Sequence, residues 1–217
     1  MATQTLTAER LYGNGLQCKF CQSLLAPHKV SEKPVAASDH FVAWPSVGAL
    51  VPGHVLVIPR RHMLNLQGLI SEENEEFPRL VGALRAALST RYGPIAAFEH
   101  GPVHEGSPVG CSVDHAHLHL LPWAGSLVAL AQRSYPELEW HPMPDLTSAL
   151  QFASTSYLAV EDAHGSAAVA TGPTIPSQAL RRAICKALGR SGEWDWKTHP
   201  QEANVLQTIS ELSLTPS

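Results

Sequence analysis

The strictest pattern of hydrophobic and polar positions in this chain runs from Val113 to Leu121. Every second residue of that stretch belongs to one set, which includes His115, His117 and His119. A period of two predicts a β-strand, because successive side chains of a strand point to opposite faces of a sheet. We therefore expect the three histidines on one face of a strand that ends at Pro122.

Two more strands are predicted upstream. Residues 39–44 are rich in apolar and β-branched side chains, and Val55–Ile58 is continuously apolar, which is typical of a buried strand. The sequence between them contains the turn signals Pro45-Ser46-Val47-Gly48 and Pro52-Gly53. This arrangement predicts two antiparallel strands joined by a long turn.

Helical spacing follows the second strand. Apolar residues recur at intervals of three and four, at Phe77, Leu80, Val81, Leu84 and Leu88. Several glutamates near the start would interact favourably with the positive end of the helix dipole. Pro78 is expected in the first turn or at a kink, and Gly93-Pro94 is expected to end the helix before a short strand at residues 95–98.

Prolines and glycines divide the chain after Trp123 into short elements. Residues 157–160 and 167–170 are predicted as two strands around a turn at 163–165. Ser177 is predicted to cap a helix that ends at Gly189, and Pro200 to begin the last helix.

Composition narrows the class of protein. The 217 residues are 44% hydrophobic, which excludes a wholly disordered chain. With 15 Lys and Arg against 19 Asp and Glu, the formal charge of −4 argues against a nucleic-acid or membrane-surface partner. No apolar run is long enough to span a bilayer, and the first 13 residues lack the apolar core of a secretory signal. We therefore expect a cytoplasmic protein.

Cysteine and histidine indicate a site. Cys18 and Cys21 form a C-x-x-C pair, which in a cytoplasmic chain indicates metal binding or redox chemistry more often than a structural disulfide. The three alternating histidines are spaced closely enough to share one ligand. Neutral imidazole can attack phosphorus, transfer protons or bind metal. A solvent-facing polar strand and a three-histidine metal site are the alternatives that the residues leave open.

These features together resemble the signature of the histidine triad superfamily of nucleotide hydrolases and transferases. Residues 110–122, G-C-S-V-D-H-A-H-L-H-L-L-P, are similar to its His-x-His-x-His pattern with Gly-x-Ser upstream. Val51–His62 resembles a second landmark, a strand followed by Ile-Pro, two basic residues and His. Cys18–Cys21 resembles the N-terminal zinc half-site of some members. The resemblance covers residues 16–123.

The resemblance implies an α+β fold, mainly an antiparallel sheet with flanking helices. It places a histidine triad domain at residues 1–123 and leaves a C-terminal α+β extension at 124–217, which we expect to pack on the core. It also implies a homodimer, a nucleotide-type substrate and no organic cofactor.

Catalytic roles follow by position. His117 matches the nucleophile that would attack the α-phosphorus and form a nucleotidyl-histidine. His119 matches a histidine that binds phosphate oxygens and assists the leaving group, and Ser112 a hydroxyl that contacts the phosphate or leaving group. Gly110 lies in the loop that approaches the phosphate, and His54 at the edge of the site.

A structural zinc site is implied as well. In zinc-bearing relatives the ligands are the two cysteines, the histidine of the second landmark and the first triad histidine. In this chain those residues are Cys18, Cys21, His62 and His115. Bound zinc would orient the strand that carries the nucleophile.

Two regions depart from the family pattern, and one triad position bears on the type of reaction. The turn after the first strand offers Ser46 where many small members carry a ribose-binding Asp. Glu99 and His100 replace the usual Asn before the glycine loop; they are candidates to face the pocket and read the substrate, or else a satisfied polar pair at a strand end. His119 stands where Gln marks transferases, which favours hydrolysis.

The extension contributes further candidates. Arg181 and Arg182 could meet a phosphate, and Trp194 and Trp196 could stack on a base or sugar. A solvated helix face and a packing anchor are the more conservative interpretations of these pairs. The function predicted is hydrolysis of nucleotide phosphoanhydride or phosphoramidate bonds. Nucleotidyl transfer to a non-water acceptor and low-turnover nucleotide binding in a regulator are the alternatives.

Overall fold

The computed structural model describes residues 17–27, 30–69, 71–110, 112–152, 154–172 and 174–212. Cys111 and the N-terminal stretch discussed above lie outside these ranges. Eight strands in the described ranges form one antiparallel sheet, in the order β1-β2-β3-β5-β4-β7-β8-β6. The strands are β1 (Ala36–Ala37), β2 (Phe41–Pro45), β3 (Val55–Pro59), β4 (Ile95–Gly101), β5 (Leu118–Pro122), β6 (Glu139–Met143), β7 (Tyr157–Glu161) and β8 (Ala167–Thr171).

Helices cover both faces of the sheet. They are α1 (Lys19–Leu25), α2 (Ser71–Tyr92), α3 (Leu127–Ser134), α4 (Leu146–Phe152), α5 (Ala179–Ala187) and α6 (Glu202–Leu212), with short 3₁₀ turns at Val30–Glu32 and Leu66–Gly68. None of the helices in this described part of the chain is long and apolar enough to cross a membrane. The α+β class is confirmed.

One face of the sheet packs against α2. The buried side chains Phe77, Val81, Leu84 and Leu88 are the apolar stripe that the helical spacing predicts. They meet the alternate residues of the strands that point the same way, among them Val57, Leu118 and Leu120. Burial of this apolar area is the main force that holds the helix to the sheet.

The opposite face carries two apolar clusters. Towards the C-terminal strands, Phe98 and Leu121 pack with Leu180 and Ile184 of α5. Towards the edge strands, four buried residues pack beneath Phe20 and Leu24 of α1: Val42, Trp44, Leu56 and Ile58. The gap between α1 and α5 lies over the centre of the sheet, where the triad begins.

Residues after 123 extend the same sheet. β7 pairs with β4 over five residue pairs, from Ala97↔Glu161 to Gly101↔Tyr157. β8 and β6 continue the sheet outward. The sheet therefore crosses the boundary expected at residue 123.

Several local expectations need correction. The triad strand begins at Leu118 rather than Val113, since residues 113–117 do not join the strand ladder. Pro78 lies inside α2 beyond its first turn; the Asn74 carbonyl, which loses its N–H partner there, belongs to an exposed residue that water can reach.

Two helix starts are also wrong. Gln178, in a left-handed conformation, precedes α5 and makes no side-chain cap, whereas Ser177 donates its hydroxyl to the Gly110 carbonyl. The last helix begins at Glu202, because the Pro200 carbonyl is engaged with Gly48 N.

Candidate functional site

A cavity of about 360 Å³ opens beside the triad. Five parts of the chain line it. They are α1 with the following turn, the end of β2, β3, the triad with the approach loop before it (residues 106–114), and the C-terminal segment (residues 177–212). The lining residues include Lys19, Phe20, Trp44, Ser46, Leu56, Val113, His117, His119, Arg181 and Trp196. A volume of this size accommodates a small organic ligand.

His117 is held in one tautomer. Its Nδ1 lies 2.8 Å from the backbone carbonyl of His115, to which it can only donate. In a neutral ring the proton is then on Nδ1 and the lone pair is on Nε2. Burial lowers the pKa of His117 to about 4, so the ring is neutral near pH 7. His117 thus offers the cavity an unprotonated nitrogen.

His54 sets the tautomer of His119. The backbone N–H of Leu50 donates to His54 Nδ1 at 3.2 Å, which leaves the proton of a neutral His54 on Nε2. That proton points to His119 Nδ1 at 2.9 Å, so a neutral His119 carries its own proton on Nε2. Burial lowers the pKa of both rings well below the usual value. This series of hydrogen bonds therefore starts at the Leu50 amide and ends at His119, which can donate from Nε2.

Packing fixes the planes of these rings. His119 stacks on Phe98, with ring centroids 4.2 Å apart and an interplanar angle of 10°. Phe20 of α1 meets His117 edge-on at 5.4 Å. Rings held on two sides keep their nitrogens in place, which is what catalysis by a positioned imidazole requires.

Cys18, Cys21, His62 and His115 form a second cluster beside the cavity. Their ligand atoms all lie within 4.8 Å of one another. His115 Nδ1 is 3.5 Å from Cys18 Sγ and 3.4 Å from Cys21 Sγ, and His62 Nδ1 is 3.4 Å from Cys21 Sγ. A tetrahedral zinc ion bound at about 2.0–2.3 Å needs ligand separations of about 3.3–3.8 Å. These four residues could therefore hold a metal ion.

The tautomer of His115 suits a ligand. Its Nε2 donates to the Pro59 carbonyl at 2.8 Å, which leaves the Nδ1 lone pair facing the two sulfurs. Metal-bound histidines commonly donate their other N–H in this way. The same residue supplies the carbonyl that holds His117, so the metal cluster and the candidate nucleophile are adjacent.

Three other predicted residues lie around the triad. Ser46 lines the cavity and its N–H donates to the His54 carbonyl. The Gly110 carbonyl accepts from the Ser177 hydroxyl at 3.0 Å, which ties the approach loop to the C-terminal segment. Ser112 is exposed and has φ of 65°, a conformation uncommon outside glycine.

The expectation that Glu99 faces the pocket is wrong. Glu99 points to the α2 face of the sheet, where its carboxylate accepts from Leu66 N at 2.8 Å and the Tyr157 hydroxyl at 2.5 Å. Burial raises its pKa to about 7. The strand register explains this, because His119 pairs with Phe98 and the next residue must point the other way.

His100 is on the cavity side but is not part of the cavity wall either. It is buried, and its Nε2 accepts from Leu180 N at 3.2 Å. The alternative of a satisfied polar pair at a strand end therefore describes both residues better than substrate reading.

The C-terminal segment supplies two residues of the cavity wall for which the sequence favoured a structural role over substrate binding. Arg181 and Trp196 both line the cavity, and Arg181 is only 1% exposed. The sequence identifies the two arginines and the two tryptophans as candidate binding residues. It does not show which member of each pair points into the cavity. Arg182 instead lies over the Trp194 ring, 3.4 Å from its centroid.

Comparison with known proteins finds similarity in the part of the chain that holds the triad. Residues 28–125 match the family model described as the HIT domain. "Protein hit" of Bacillus subtilis is 26% identical over 108 residues, which is 50% of this chain and 72% of that protein. The bis(5'-adenosyl)-triphosphatase of Saccharomyces cerevisiae is 29% identical over 94 residues, 43% of this chain and 45% of that enzyme.

A solved structure is also similar to part of this chain. A member of the HIT family from Bacillus subtilis aligns with a TM-score of 0.43 and 23% identity, over 51% of this chain and 75% of the other. The range matched by the family model holds the triad, His54 and His62. It does not include Cys18, Cys21, Arg181 or Trp196.

Proposed function

We propose that the region matched by the HIT domain model, residues 28–125, hydrolyses a phosphoanhydride or phosphoramidate bond of a nucleotide through a covalent intermediate on His117. The observation that carries the proposal is the tautomer of His117. Its Nδ1 proton is held by the His115 carbonyl, so the Nε2 lone pair is available in a ring that lines the cavity. An uncharged nucleophile also suits an anionic phosphate.

In the first step the Nε2 lone pair attacks the α-phosphorus. The new P–N bond forms as the bond from phosphorus to the leaving atom breaks, and the leaving group keeps that electron pair. The substituted ring becomes positively charged, and the His115 carbonyl that accepts from Nδ1 stabilises this charge. In the second step the oxygen of water attacks the same phosphorus, the P–N bond breaks, and the lone pair returns to Nε2. The proton that the water releases to solvent balances the proton that the leaving group takes up from solvent.

His119 supports both steps as a hydrogen-bond donor. Because His54 donates to its Nδ1, His119 presents an Nε2 proton from the cavity wall to a phosphate oxygen. Ser112, on the loop next to the lining residue Val113, is the candidate to contact the leaving group, and the Gly110 loop to approach the phosphate. Ser46, which also lines the cavity, is a further candidate contact.

The metal cluster has a structural role in this proposal. A closed set of two thiolates and two imidazoles fits zinc and leaves no open position for water. Cys18, Cys21, His62 and His115 would hold the ion, and His115 would in turn fix the carbonyl that orients His117.

Intact-protein mass spectrometry tests the covalent step. Wild type, His117→Ala and His164→Ala are mixed briefly with adenosine 5′-phosphoramidate or diadenosine triphosphate and quenched, while product release is followed in parallel. His164 is a matched control because it is exposed in the turn between β7 and β8. We expect a nucleoside-monophosphate adduct or product with wild type and His164→Ala, and neither with His117→Ala.

Other results would change the conclusion. Product formation by His117→Ala at the wild-type rate would overturn the covalent role of His117. Product that appears only when a second nucleophile such as an alcohol or phosphate is added would indicate transfer rather than hydrolysis. Absence of any reaction in wild type would contradict the hydrolase proposal.

A further inference from the structure

The cavity has a wall that the histidine triad domain does not supply. Arg181 of α5 and Trp196, in the segment between α5 and α6, both line it from outside residues 28–125. Gly48, in the loop between β2 and β3, has φ of +69° and lies against both residues. A Cβ there would come within 2.6 Å of Trp196 Cβ and 2.9 Å of Arg181 Nη2, so the wall is seated closely on the domain.

Two carbonyls orient the Arg181 guanidinium. Its Nε donates to the Trp194 carbonyl at 2.9 Å and its Nη2 to the Gly48 carbonyl at 2.6 Å. The charge of the guanidinium also interacts with the Asp195 carboxylate. Because Arg181 lines the cavity, a phosphate that enters would meet a guanidinium, which binds phosphate oxygens in a bidentate geometry.

The field of Arg181 reaches the triad. Arg181, His117 and His119 line the same cavity, and the charge of Arg181 is one of the causes, after burial, that lower the pKa of His119. The same charge contributes to a lowered pKa at Asp195, whose carboxylate accepts from Gln178 and from the Lys197 backbone. A phosphorus atom placed at His117 would therefore lie in the positive potential of Arg181.

Aromatic side chains line part of the cavity beside Arg181. Trp196 faces Lys19 of α1, whose Nζ lies 5.2 Å from the indole centroid. Phe20 and Trp44 add apolar surface on the α1 side. The buried indole N–H of Trp44 has no acceptor among the residues that the structure describes, so an acceptor on a ligand would satisfy it. Flat aromatic walls beside cations suit a planar base joined to a phosphate.

We propose that Arg181 and Trp196 are substrate-binding residues: Arg181 contacts the phosphate presented to His117, and Trp196 stacks on the base of the same nucleoside monophosphate unit. This inference rests on the proposed function, since it takes a nucleotide as the ligand. The C-terminal segment thereby becomes a determinant of which phosphate compounds the triad accepts.

Calorimetric binding to the full chain tests the two contacts separately. The probes are AMP, adenosine and ribose 5-phosphate. The variants are Arg181→Gln and Trp196→Leu. The controls are Arg182→Gln from the same helix and Trp140→Leu from the edge strand β6, since neither control residue lines the cavity. Circular dichroism and thermal unfolding verify that each protein is folded, and Arg181→Lys replaces Arg181→Gln if the latter is not.

Each contact predicts its own pattern. Arg181→Gln should weaken AMP and ribose 5-phosphate about tenfold or more, as expected for loss of a charge-assisted hydrogen bond, and change adenosine less than about twofold. Trp196→Leu should weaken AMP and adenosine about fivefold or more and leave ribose 5-phosphate nearly unchanged. Arg181→Lys keeps the charge but loses the fork, so it should bind AMP more weakly than wild type and more tightly than Arg181→Gln. Both controls should bind all three probes like wild type.

The binding measurements test the two contacts, whereas adduct formation on His117 tests the proposed reaction. Wild-type AMP affinity in Arg181→Gln, or in Arg181→Lys where that variant replaces it, would overturn the phosphate contact, and wild-type adenosine affinity in Trp196→Leu the stacking contact, even if His117 forms an adduct. The predicted binding pattern without any turnover would support the two contacts and overturn only the hydrolase. If wild type binds none of the probes, the inference is overturned.

Discussion

Backbone groups decide which imidazole nitrogens are available in this site. The carbonyl of His115 places the proton of His117 on Nδ1, and the carbonyl of Pro59 places that of His115 on Nε2. The amide of Leu50 acts through His54 on His119. Three chemically identical side chains thus receive three different roles, which the alternating pattern alone could not assign.

The protonation state of the buried His100 can be tested independently of the proposed reaction. Burial lowers its pKa to about 3, against about 6.5 in an unfolded chain. Between these values the unfolded chain binds a proton at His100 that the folded chain does not, so stability falls as pH falls. The slope for one such group is about 1.4 kcal/mol per pH unit.

His100→Gln should therefore flatten the acid side of the stability curve. Glutamine can accept from Leu180 N as His100 does, but it does not titrate. We expect urea unfolding from pH 6.0 to 4.5 to show a smaller loss of free energy in the variant, by about 1.4 kcal/mol per unit. His164→Ala, exposed in its turn, should retain the wild-type slope. Parallel curves for wild type and His100→Gln would contradict the buried neutral state of His100.

At the scale of elements, the loop between β2 and β3 is organised by the C-terminal segment. Gly48 N donates to the Pro200 carbonyl at 2.7 Å, and Asn204 Nδ2 donates to the Ala49 carbonyl at 2.7 Å. Gly53 N donates to Thr208 Oγ1 at 2.8 Å. This loop leads into His54, so α6 and the residue Pro200 before it stabilise the position from which His54 donates to His119.

Gly48→Ala tests that seating. The variant combines a positive φ of +69° with the clash against Trp196 and Arg181. Gly106→Ala is the matched control, because Gly106 has φ of +68° and nothing lies within 4 Å of the added Cβ. Both should lose about 1 kcal/mol from backbone strain, and Gly48→Ala about 1–3 kcal/mol more from overpacking. Equal unfolding midpoints in denaturant would show that the contact is not tight.

The elements that the sequence predicted are those with a local signature. The buried run of β3, the apolar stripe of α2 and the β7–β8 hairpin each follow from the periodicity of their own residues. The edge strand β6 was missed because its side chains are exposed or half-buried on both faces, which leaves no alternation, and it contains Pro142. The start of β5 was misplaced because alternation describes an extended chain and not the pairing that defines a strand.

The site was predictable to the same extent. His117, His119 and the four metal-cluster residues follow from spacing and from the family resemblance, and the structure brings them together. Glu99 was misassigned because strand parity depends on the register with β5. Arg181 approaches the cavity through contacts between residues 133 positions apart, which no local pattern encodes.

At the scale of the whole molecule, three separate regions close one cavity. The central sheet supplies the triad, the C-terminal segment supplies Arg181 and Trp196, and α1 supplies Lys19 and Phe20. α1 is a short helix that begins directly after Cys18 and contains Cys21. The metal cluster therefore joins the N-terminal wall of the cavity to the sheet.

Loss of the metal should loosen that wall more than it damages the chemistry. Cys18→Ser is expected to lower metal content from about one ion per chain to near zero, measured by elemental analysis. Because the bound ion stabilises only the folded chain, the unfolding midpoint should fall by at least about 5 °C. KM should rise as Lys19 and Phe20 lose their anchor, whereas kcat should stay well above that of His117→Ala.

The control for this change is Cys185→Ser. Cys185 is a buried thiol in α5, away from the four-residue cluster, so its replacement should leave metal content unchanged. Full metal content in Cys18→Ser would show that the ion is bound elsewhere. If metal-free protein is as inactive as His117→Ala while still binding AMP with wild-type affinity, the ion takes part in the reaction itself. Within the triad, His117 and His119 face the cavity, whereas His115 belongs to the metal cluster. If the ion is structural, its removal should therefore lower stability and substrate binding before it affects the reaction itself.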